Sequence, residues 1–280
     1  MDDDSYRHLI ATSAASLLAI ALVMAITCSL AMRWRKHSIV DVVWGLGFAV
    51  VAIVCFVSSS FVTDADDTRR TVIVAMTVLW GLRLATHISI RNRGSEDDPR
   101  YRALFRGGEP RLGKAITTVY LPQGVIMWFV SLPVQVAVLH QRGLGVIGVI
   151  GIAVWAIGLT FETVGDLQLT RFRADPANKG QVMDHGLWRY TRHPNYFGDA
   201  CVWWGIFLVA AEHWPGVLTI LSPAVMTYLL VAKTGKALLE RSMQESKPGY
   251  AEYVDRMSGF VPLPPRRSSA DERQSERWSA

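Results

Sequence analysis

The feature that most constrains this chain is a series of apolar runs longer than any soluble helix needs. A run of 18 or more mostly apolar residues indicates a membrane-spanning helix, because about 20 residues at a rise of about 1.5 Å cross the hydrocarbon layer. We therefore predict an all-α, polytopic membrane protein with about seven transmembrane helices. The predicted spans are residues 8–32, 38–62, 71–90, 115–140, 144–165, and two within 196–232, separated by a break at 212–215.

Lysine and arginine are distributed unevenly over this arrangement. With the N-terminus outside, 24 of the 29 lie in inner segments, 4 lie in outer segments, and Arg83 lies within a span. Because basic residues collect in cytoplasmic loops, this division predicts an outside N-terminus and a cytoplasmic C-terminus. The net charge of +5 is then a signal of topology, and we expect no nucleic-acid partner.

The chain reads as one membrane domain over residues 1–264 and a polar tail, 265–280, whose composition predicts disorder. Three glycines, Gly143, Gly145 and Gly148, match the spacing of a dinucleotide fingerprint. That fingerprint requires a preceding strand, whereas these glycines open a span, so we interpret them as small residues for close helix packing. The cysteines fall within spans and fit no metal-ligand spacing, so no metal site is expected.

Ionisable side chains within membrane spans are costly and mark candidate functional positions. Glu212 falls at a predicted outer turn, and we assign it no role. The others cluster near the inner ends of spans, where a site could meet both a cytoplasmic cofactor and a lipophilic substrate. For Asp41 and Arg83 the alternative is that they are structural partners. The residues near the inner ends are Asp41, Arg83, His87, Glu162, Asp166 and Asp199.

Two clusters have the chemistry of a nucleotide site. Pro194 suits the first turn of a helix on which Asn195 and Asp199, four residues apart, share a face. Arg189 and Arg192 precede that helix, where unpaired N–H groups also favour a phosphate. In the second cluster, Glu162 and Asp166 share a face at the end of span five and are followed by two arginines. Carboxylates beside paired arginines suit ribose hydroxyls and phosphates, although membrane anchoring alone could also explain the arginines. These two arginines are Arg171 and Arg173.

The motif His193-Pro-Asn-Tyr-Phe-Gly-Asp199, preceded by Gly186-Leu-Trp-Arg-Tyr190, resembles the C-terminal signature of the steroid 5-alpha-reductase family. Other stretches are similar to the bacterial branch of that family, a domain of unknown function. The resemblance runs from about Ser38 to Pro264. The stretches are residues 38–48, 80–87, 91–101 and the ending Glu240-Arg241 with Gly249, Tyr250, Tyr253 and Pro262.

This resemblance implies a membrane-embedded, NADPH-dependent oxidoreductase that reduces a carbon–carbon double bond conjugated to a carbonyl in a steroid-like or lipid-like substrate. It implies that Asn195 and Asp199 hold the nicotinamide end, and that Asp166 with the arginines holds ribose and phosphates. Tyr250 and Tyr253 would close over the cofactor. The implied cofactor site also includes Arg171, Arg173, Arg189, Arg192, His193 and Tyr196.

The resemblance also gives Asp41 the place of the acid that polarises the substrate carbonyl. The chain departs from the steroid enzymes here, because they pair a glutamate with a tyrosine and span three has no tyrosine. Trp80 lies near the expected place of that tyrosine, so Asp41 and Trp80 are the candidate catalytic residues. The departure puts a steroid substrate in doubt.

Two alternatives remain open at the level of sequence. Arg192-His-Pro-x-Tyr196 with Glu240-Arg241 also resembles membrane methyltransferases of the isoprenylcysteine and phospholipid type, which use S-adenosylmethionine. A transporter or a structural membrane protein is the third reading, although its charged groups should lie at the midplane. The expected location is a bacterial cytoplasmic membrane, the expected partners are a lipophilic small molecule and membrane lipid, and the oligomeric state stays open.

Overall fold

The computed structural model describes residues 3–62, 65–105, 108, 110–233, 240, 243 and 247–266. Within these residues the secondary structure is helical and contains no strand, which confirms the all-α prediction. Short π-helical turns occupy Ile116–Tyr120 and Leu229–Lys233, and a 3₁₀ turn occupies Gly216–Ile220. The α-helices are α1 (Asp3–Trp34), α2 (Ile39–Ser59), α3 (Asp67–Arg91), α4 (Pro99–Leu104), α5 (Leu112–Ala115), α6 (Leu121–Val130), α7 (Leu132–Ala137), α8 (Val146–Ala174), α9 (Pro194–Ala211), α10 (Leu221–Tyr228) and α11 (Tyr250–Arg256).

Four helices, α1, α2, α3 and α8, are long and apolar enough to cross a membrane. They coincide with predicted spans one, two, three and five, and they mark the chain as a membrane protein. Helix α8 ends at Ala174, later than the predicted end of span five at residue 165. Hydropathy locates the edge of the apolar region, whereas a helix can continue beyond it through polar residues.

The remaining predicted spans are divided into shorter helices. Residues 115–140 are interrupted at Ser131, because α6 ends at Val130 and α7 begins at Leu132, just ahead of Pro133. Helix α9 ends at Ala211 and the next apolar helical segment is Gly216–Ala232, so the predicted break at 212–215 is confirmed. The count of seven crossings and the orientation of the termini stay predictions.

The chain divides into two compact units. Unit 1 comprises Met1–Ala153 and Gly205–Pro223, and unit 2 comprises Val154–Trp204 and Ala224–Ala280. The prediction of a single membrane domain over 1–264 stays a prediction. Most of the predicted disordered tail, residues 267–280, lies outside the described residues.

Glycine allows a close helix contact in unit 1. A Cβ on Gly45 of α2 would collide with the carbonyl oxygen of Gly81 on α3, and a Cβ on Gly81 would collide with that of Gly45. Only residues without a side chain permit this approach of two backbones. The contact holds the first turn of α2, which carries Asp41, in a defined position beside α3.

Candidate functional site

Three glycines in unit 2 bring α8 against the first half of α9. A Cβ on Gly158 would lie 2.5 Å from the carbonyl oxygen of Gly198, and a Cβ on Gly198 would lie 2.5 Å from the main-chain nitrogen of Glu162. A Cβ on Gly165 would lie 3.2 Å from the ring of Pro194. The start of α9 at Pro194 is as predicted. Because the backbones touch, polar side chains on the facing surfaces must meet.

The two predicted polar pairs do meet in unit 2. The side-chain amide of Asn195 donates to Asp166 Oδ1 at 3.1 Å. Glu162, Asp166 and Asp199 are all buried, with 2%, 6% and 8% of their surfaces exposed. Charged side chains are rarely this buried unless they are paired or serve a function. The structure therefore joins the two sequence clusters into one polar centre.

Exposed arginines lie on the elements that carry this polar centre. Arg171 and Arg173 occupy the last turn of α8, one to two turns beyond Asp166. Arg189 ends the 3₁₀ turn Gly186–Arg189, just before α9. All three side chains are exposed, in contrast to the buried carboxylates. The arrangement of a half-buried amide and a buried carboxylate with exposed cations nearby fits a ligand that has both polar rings and phosphates.

Arg192, in contrast, is used within the fold. Its guanidinium donates to the carbonyl oxygens of Val254 at 2.8 Å and Met257 at 2.7 Å, and to Glu240 Oε1 at 2.8 Å. These bonds bind α11 and Glu240 to the segment before α9, so Arg192 has a structural role. Its predicted contact with a phosphate stays a prediction, and one that these occupied donors do not favour.

His193 shares the carboxylate of Glu240 with Arg192. Its Nε2 lies 3.0 Å from Glu240 Oε1, and its ring stacks on Tyr196 with centroids 5.3 Å apart. Burial tends to raise the pKa of Glu240, but the hydrogen bonds from His193 and Arg192 outweigh burial and lower it to about 2. Glu240 is therefore a stable anion at neutral pH, and it fixes the orientation of the His193 ring.

The two C-terminal tyrosines are buried on α11. Tyr253 donates its hydroxyl to the carbonyl oxygen of Trp188 at 2.7 Å, and Tyr250 packs beside it with ring centroids 5.8 Å apart. Burial, the largest cause, raises the pKa of Tyr250 to about 12, and it also raises the pKa of Tyr253. These contacts attach α11 to the 3₁₀ turn of Arg189. A contact of either tyrosine with a cofactor stays a prediction.

Asp41, in unit 1, accepts two hydrogen bonds. Tyr101 donates its hydroxyl to Asp41 Oδ1 at 2.7 Å, and Arg100 donates to Asp41 Oδ2 at 2.9 Å. Arg100 and Tyr101 on α4 are thus partners of Asp41, whereas the pairing with Arg83 considered from the sequence stays a prediction. The segment around α4 is polar and its sequence has no periodicity long enough to place it, so this pairing could not be read from spacing.

Tyr101 is a functional candidate that sequence reasoning missed. It is only 8% exposed although it lies on a short helix outside the predicted spans. Burial first, and then the charge and hydrogen bond of Asp41, raise the pKa of Tyr101. The phenol therefore stays protonated at neutral pH. The sequence signal that could have indicated it is the Asp98-Pro99 helix start, which places Tyr101 in the first turn of a helix.

Trp80 belongs to the core of unit 1. It is fully buried and makes an edge contact with Phe48, with ring centroids 5.5 Å apart. The structure gives Trp80 packing contacts on α2, and its catalytic role stays a prediction.

A second group missed from the sequence lies around Glu212, to which we had assigned no role. Glu212 pairs with Arg69 at 2.6 Å, and these side chains are 7% and 0% exposed. The main-chain N–H groups of Gly145 and Gly148 donate to the same carboxylate at 2.9 and 3.0 Å. Burial tends to raise the pKa of Glu212, but these hydrogen bonds and the Arg69 guanidinium lower it to about 2.

This group explains the glycine motif that resembles a dinucleotide fingerprint. A Cβ on Gly145 or Gly148 would lie within 2.9 Å of an oxygen of Glu212. The N-terminus of α8 is thus an anion site, as helix N-termini commonly are, and the chain fills it with its own carboxylate. Close approach explains Gly145 and Gly148, and the approaching group is the Glu212 carboxylate.

The fold and these clusters define a helical membrane protein whose described residues include buried polar groups in both units. Residues 28–257 match the model of the family described as Protein of unknown function (DUF1295). The chain belongs to this family. No curated protein and no solved structure matches it.

Proposed function

We propose that the chain is a membrane-embedded reductase that uses NADPH to reduce a carbon–carbon double bond conjugated to a carbonyl in a lipophilic substrate. The observation that carries this proposal is the hydrogen bond of 3.1 Å between Asn195 and Asp166. It joins the motif that resembles the steroid 5-alpha-reductase signature to the second carboxylate cluster. The resemblance supports the reaction class, while the substrate stays open between steroid-like and lipid-like molecules.

The residues of unit 2 fit NADPH by their chemistry. The Asn195 amide can both donate to and accept from a carboxamide, and the Asp166 and Asp199 carboxylates can accept from ribose hydroxyls. The exposed guanidinium groups of Arg171 and Arg189 can bind phosphates as planar, bidentate donors. When bound, NADPH supplies the hydride. The protein residues bind and orient it.

Tyr101 and Asp41 in unit 1 are proposed to act on the substrate carbonyl. Negative charge develops on that oxygen as the double bond is reduced, and a preorganised hydrogen-bond donor stabilises it. The protonated Tyr101 phenol is the proposed donor: its single hydroxyl hydrogen, which Asp41 accepts in the structure, would turn to the substrate oxygen when substrate binds, while Arg100 stays paired with Asp41. Asp41 orients the phenol. The steroid enzymes use a tyrosine at this place, and span three has none. In this proposal Tyr101 of α4 takes its role.

The finer topology is part of the same proposal. We propose seven crossings with the N-terminus outside, the additional three being formed by α6 with α7, by α9, and by the segment Gly216–Ala232. The distribution of 24 inner against 4 outer basic residues supports this orientation. In this orientation the arginines in the last turn of α8 would lie on the cytoplasmic side, where NADPH is available.

The test is the thermal stability of the purified full-length protein in detergent with NADPH, NADH or S-adenosylmethionine. A ligand at 100 times its Kd adds about 2.7 kcal/mol to the free energy of unfolding. The proposal predicts stabilisation by NADPH. Stabilisation by S-adenosylmethionine alone would assign the methyltransferase function, and no shift with any of the three would favour a transporter or a structural protein.

A further inference from the structure

Gln123 is a polar side chain in a largely apolar helix of unit 1. It lies in the first turn of α6, within the fourth predicted span, and it is half-buried. A side-chain amide inside a membrane span is costly unless it has a partner or a function. The reductase mechanism proposed so far gives Gln123 no role, although its neighbours belong to the catalytic group of unit 1.

The indole of Trp44 fixes the orientation of this amide. Trp44, on α2, donates its Nε1–H to Oε1 of Gln123. Because an indole nitrogen can donate but not accept, the amide oxygen must face Trp44, and the amide nitrogen must face away from it. The indole itself packs against Phe48, with ring centroids 5.7 Å apart. The donor side of Gln123 therefore has a defined direction.

That donor side acts on Tyr101. Burial, the largest cause, raises the pKa of Tyr101, whereas a hydrogen bond from the Gln123 side chain lowers it. A hydrogen bond lowers the pKa of a phenol when the phenol oxygen accepts it, because the bond stabilises the phenolate. The amide nitrogen of Gln123 is therefore directed toward the oxygen of Tyr101, whose own hydroxyl hydrogen goes to Asp41 at 2.7 Å.

Gln123 retains a hydrogen to donate at this point. Within the described residues its side-chain partners are Trp44, which uses the amide oxygen, and Tyr101. An amide nitrogen carries two hydrogens, and one phenol oxygen takes at most one of them in a normal hydrogen bond. Since Gln123 and Asp41 are both half-buried, a ligand can reach the remaining hydrogen beside Tyr101.

We propose that Gln123 donates a hydrogen bond to the carbonyl oxygen of the substrate, as a second donor beside Tyr101, an inference that rests on the proposed reductase function. In that reaction a hydride passes from NADPH, which becomes NADP⁺, to the β-carbon of the substrate. The electron pair of the double bond shifts toward the carbonyl oxygen, and a proton from water then adds to the α-carbon. Two donors fixed at that oxygen stabilise the developing charge. Trp44 is a positioning residue, because it acts through Gln123.

The experiment measures NADPH consumption and equilibrium binding of NADPH by the purified full-length protein in detergent. The probes are cholestenone, a steroid enone, and an α,β-unsaturated hexadecenal, a straight-chain analogue. Gln123→Glu keeps an oxygen for Trp44 and loses the donor, whereas Gln123→Leu loses both groups. Each variant should lower kcat by about 100-fold, the size expected for one donor to a developing oxyanion, and should leave the affinity for NADPH unchanged.

Trp44→Phe tests the positioning role. It should lower kcat by less than Gln123→Leu does, and it should add no further loss when the two changes are combined. A residue that acts through Gln123 has no effect once Gln123 is removed, whereas an independent structural effect would add. Gln141→Glu, at an exposed glutamine beyond the far end of the same span, is the control and should keep the wild-type kcat.

The outcomes separate this inference from the function on which it rests. If the wild type reduces a probe and both Gln123 variants keep its kcat, the inference is overturned and the reductase function stands. Loss of NADPH affinity in both Gln123 variants would show a structural role and would also overturn it. If the wild type neither binds NADPH nor reduces either probe, the proposed function is overturned, and this inference with it.

Discussion

At the scale of single residues, the hydrogen bonds of Asp41 define what it can do in catalysis. Both of its oxygens accept, one from Tyr101 and one from Arg100, so it is placed to orient a donor. Arg100 also pairs with Asp98 at 3.0 Å, and it would retain a partner without Asp41. A change at Asp41 should therefore affect catalysis more than stability.

Asp41→Asn should lower turnover by about 100-fold, the size expected when one preorganised donor or acid is misplaced. NADPH binding and the melting temperature should change little. The measurement is steady-state turnover on a substrate for which activity is established, together with NADPH titration. Tyr101→Phe should lose at least as much turnover, and Tyr228→Phe, at an exposed tyrosine, should lose none. Full turnover in Asp41→Asn would remove Asp41 from the mechanism.

Glu212 is expected to stabilise the folded protein through its ion pair with Arg69. Glu212→Gln should lower the free energy of unfolding by about 3 kcal/mol, because it breaks a buried ion pair and leaves the Arg69 charge without its counterion. The matched control is Glu96→Gln, whose pair with Arg102 has a distance of 3.0 Å but is exposed. Exposed pairs contribute about 0–1 kcal/mol, so the control should melt close to the wild type. Similar melting of both variants would contradict this role.

The depressed pKa of Glu212 also predicts a pH dependence. Its pKa in the folded protein, about 2, lies below the ordinary value of 4.5. Its contribution to stability is therefore complete above about pH 4.5 and is lost as the pH falls toward 2. The stability difference between wild type and Glu212→Gln should shrink over this interval. A difference that stays constant to pH 2 would show that the charge of Glu212 is unimportant.

At the scale of elements, the contact between α8 and α9 builds the polar centre of unit 2. Gly198→Ala should destabilise the protein by about 1–3 kcal/mol and weaken NADPH binding, because the added Cβ meets backbone atoms that cannot move aside. Gly113→Ala in α5 is the control, since a Cβ there meets no atom within 4 Å. It should be neutral or slightly stabilising, as alanine favours helix. Melting temperatures in detergent measure both, and a neutral Gly198→Ala would contradict the close contact.

How well the sequence predicts a contact depends on how far apart the two contacting residues lie along the chain. Helical spacing places Asn195 and Asp199 on one face. The structure brings Asn195 of α9 to Asp166 of α8, 29 residues earlier in the chain. The Asp41–Tyr101 and Arg69–Glu212 pairs join positions 60 and 143 residues apart. No periodicity relates such distant elements, so these contacts required a structure.

Helix ends were predicted least well, and for a physical reason. Apolar runs predicted α1, α2, α3 and α8, because the hydrocarbon layer selects composition directly. They could not show that α8 continues through Arg171 or that residues 115–140 are interrupted at Ser131. Hydropathy is insensitive to both features, since polar residues can be helical and apolar residues can form a bend.

At the scale of the whole molecule, the orientation of the chain follows from the distribution of charge. Reporter fusions after Lys36 and Arg111 should be cytoplasmic, and fusions at Ala65 and Gln141 should be outside, because basic segments remain in the cytoplasm. The fusion after Arg267, which should also be cytoplasmic, lies outside the described residues. A cytoplasmic reporter at Gln141 would contradict the seven-span arrangement.

The most direct measurement of the proposed NADPH site is equilibrium binding of NADPH to the full-length protein in detergent. Wild type should bind saturably, and Asn195→Ala should bind at least about tenfold more weakly, since it removes a half-buried hydrogen-bonding group. Asn178→Ala removes an asparagine of the same unit whose side-chain amide donates to the carbonyl oxygen of Phe172 at 3.0 Å, and it should bind as wild type does. Absence of saturable NADPH binding in the wild type, or wild-type affinity in Asn195→Ala, would contradict the proposed site.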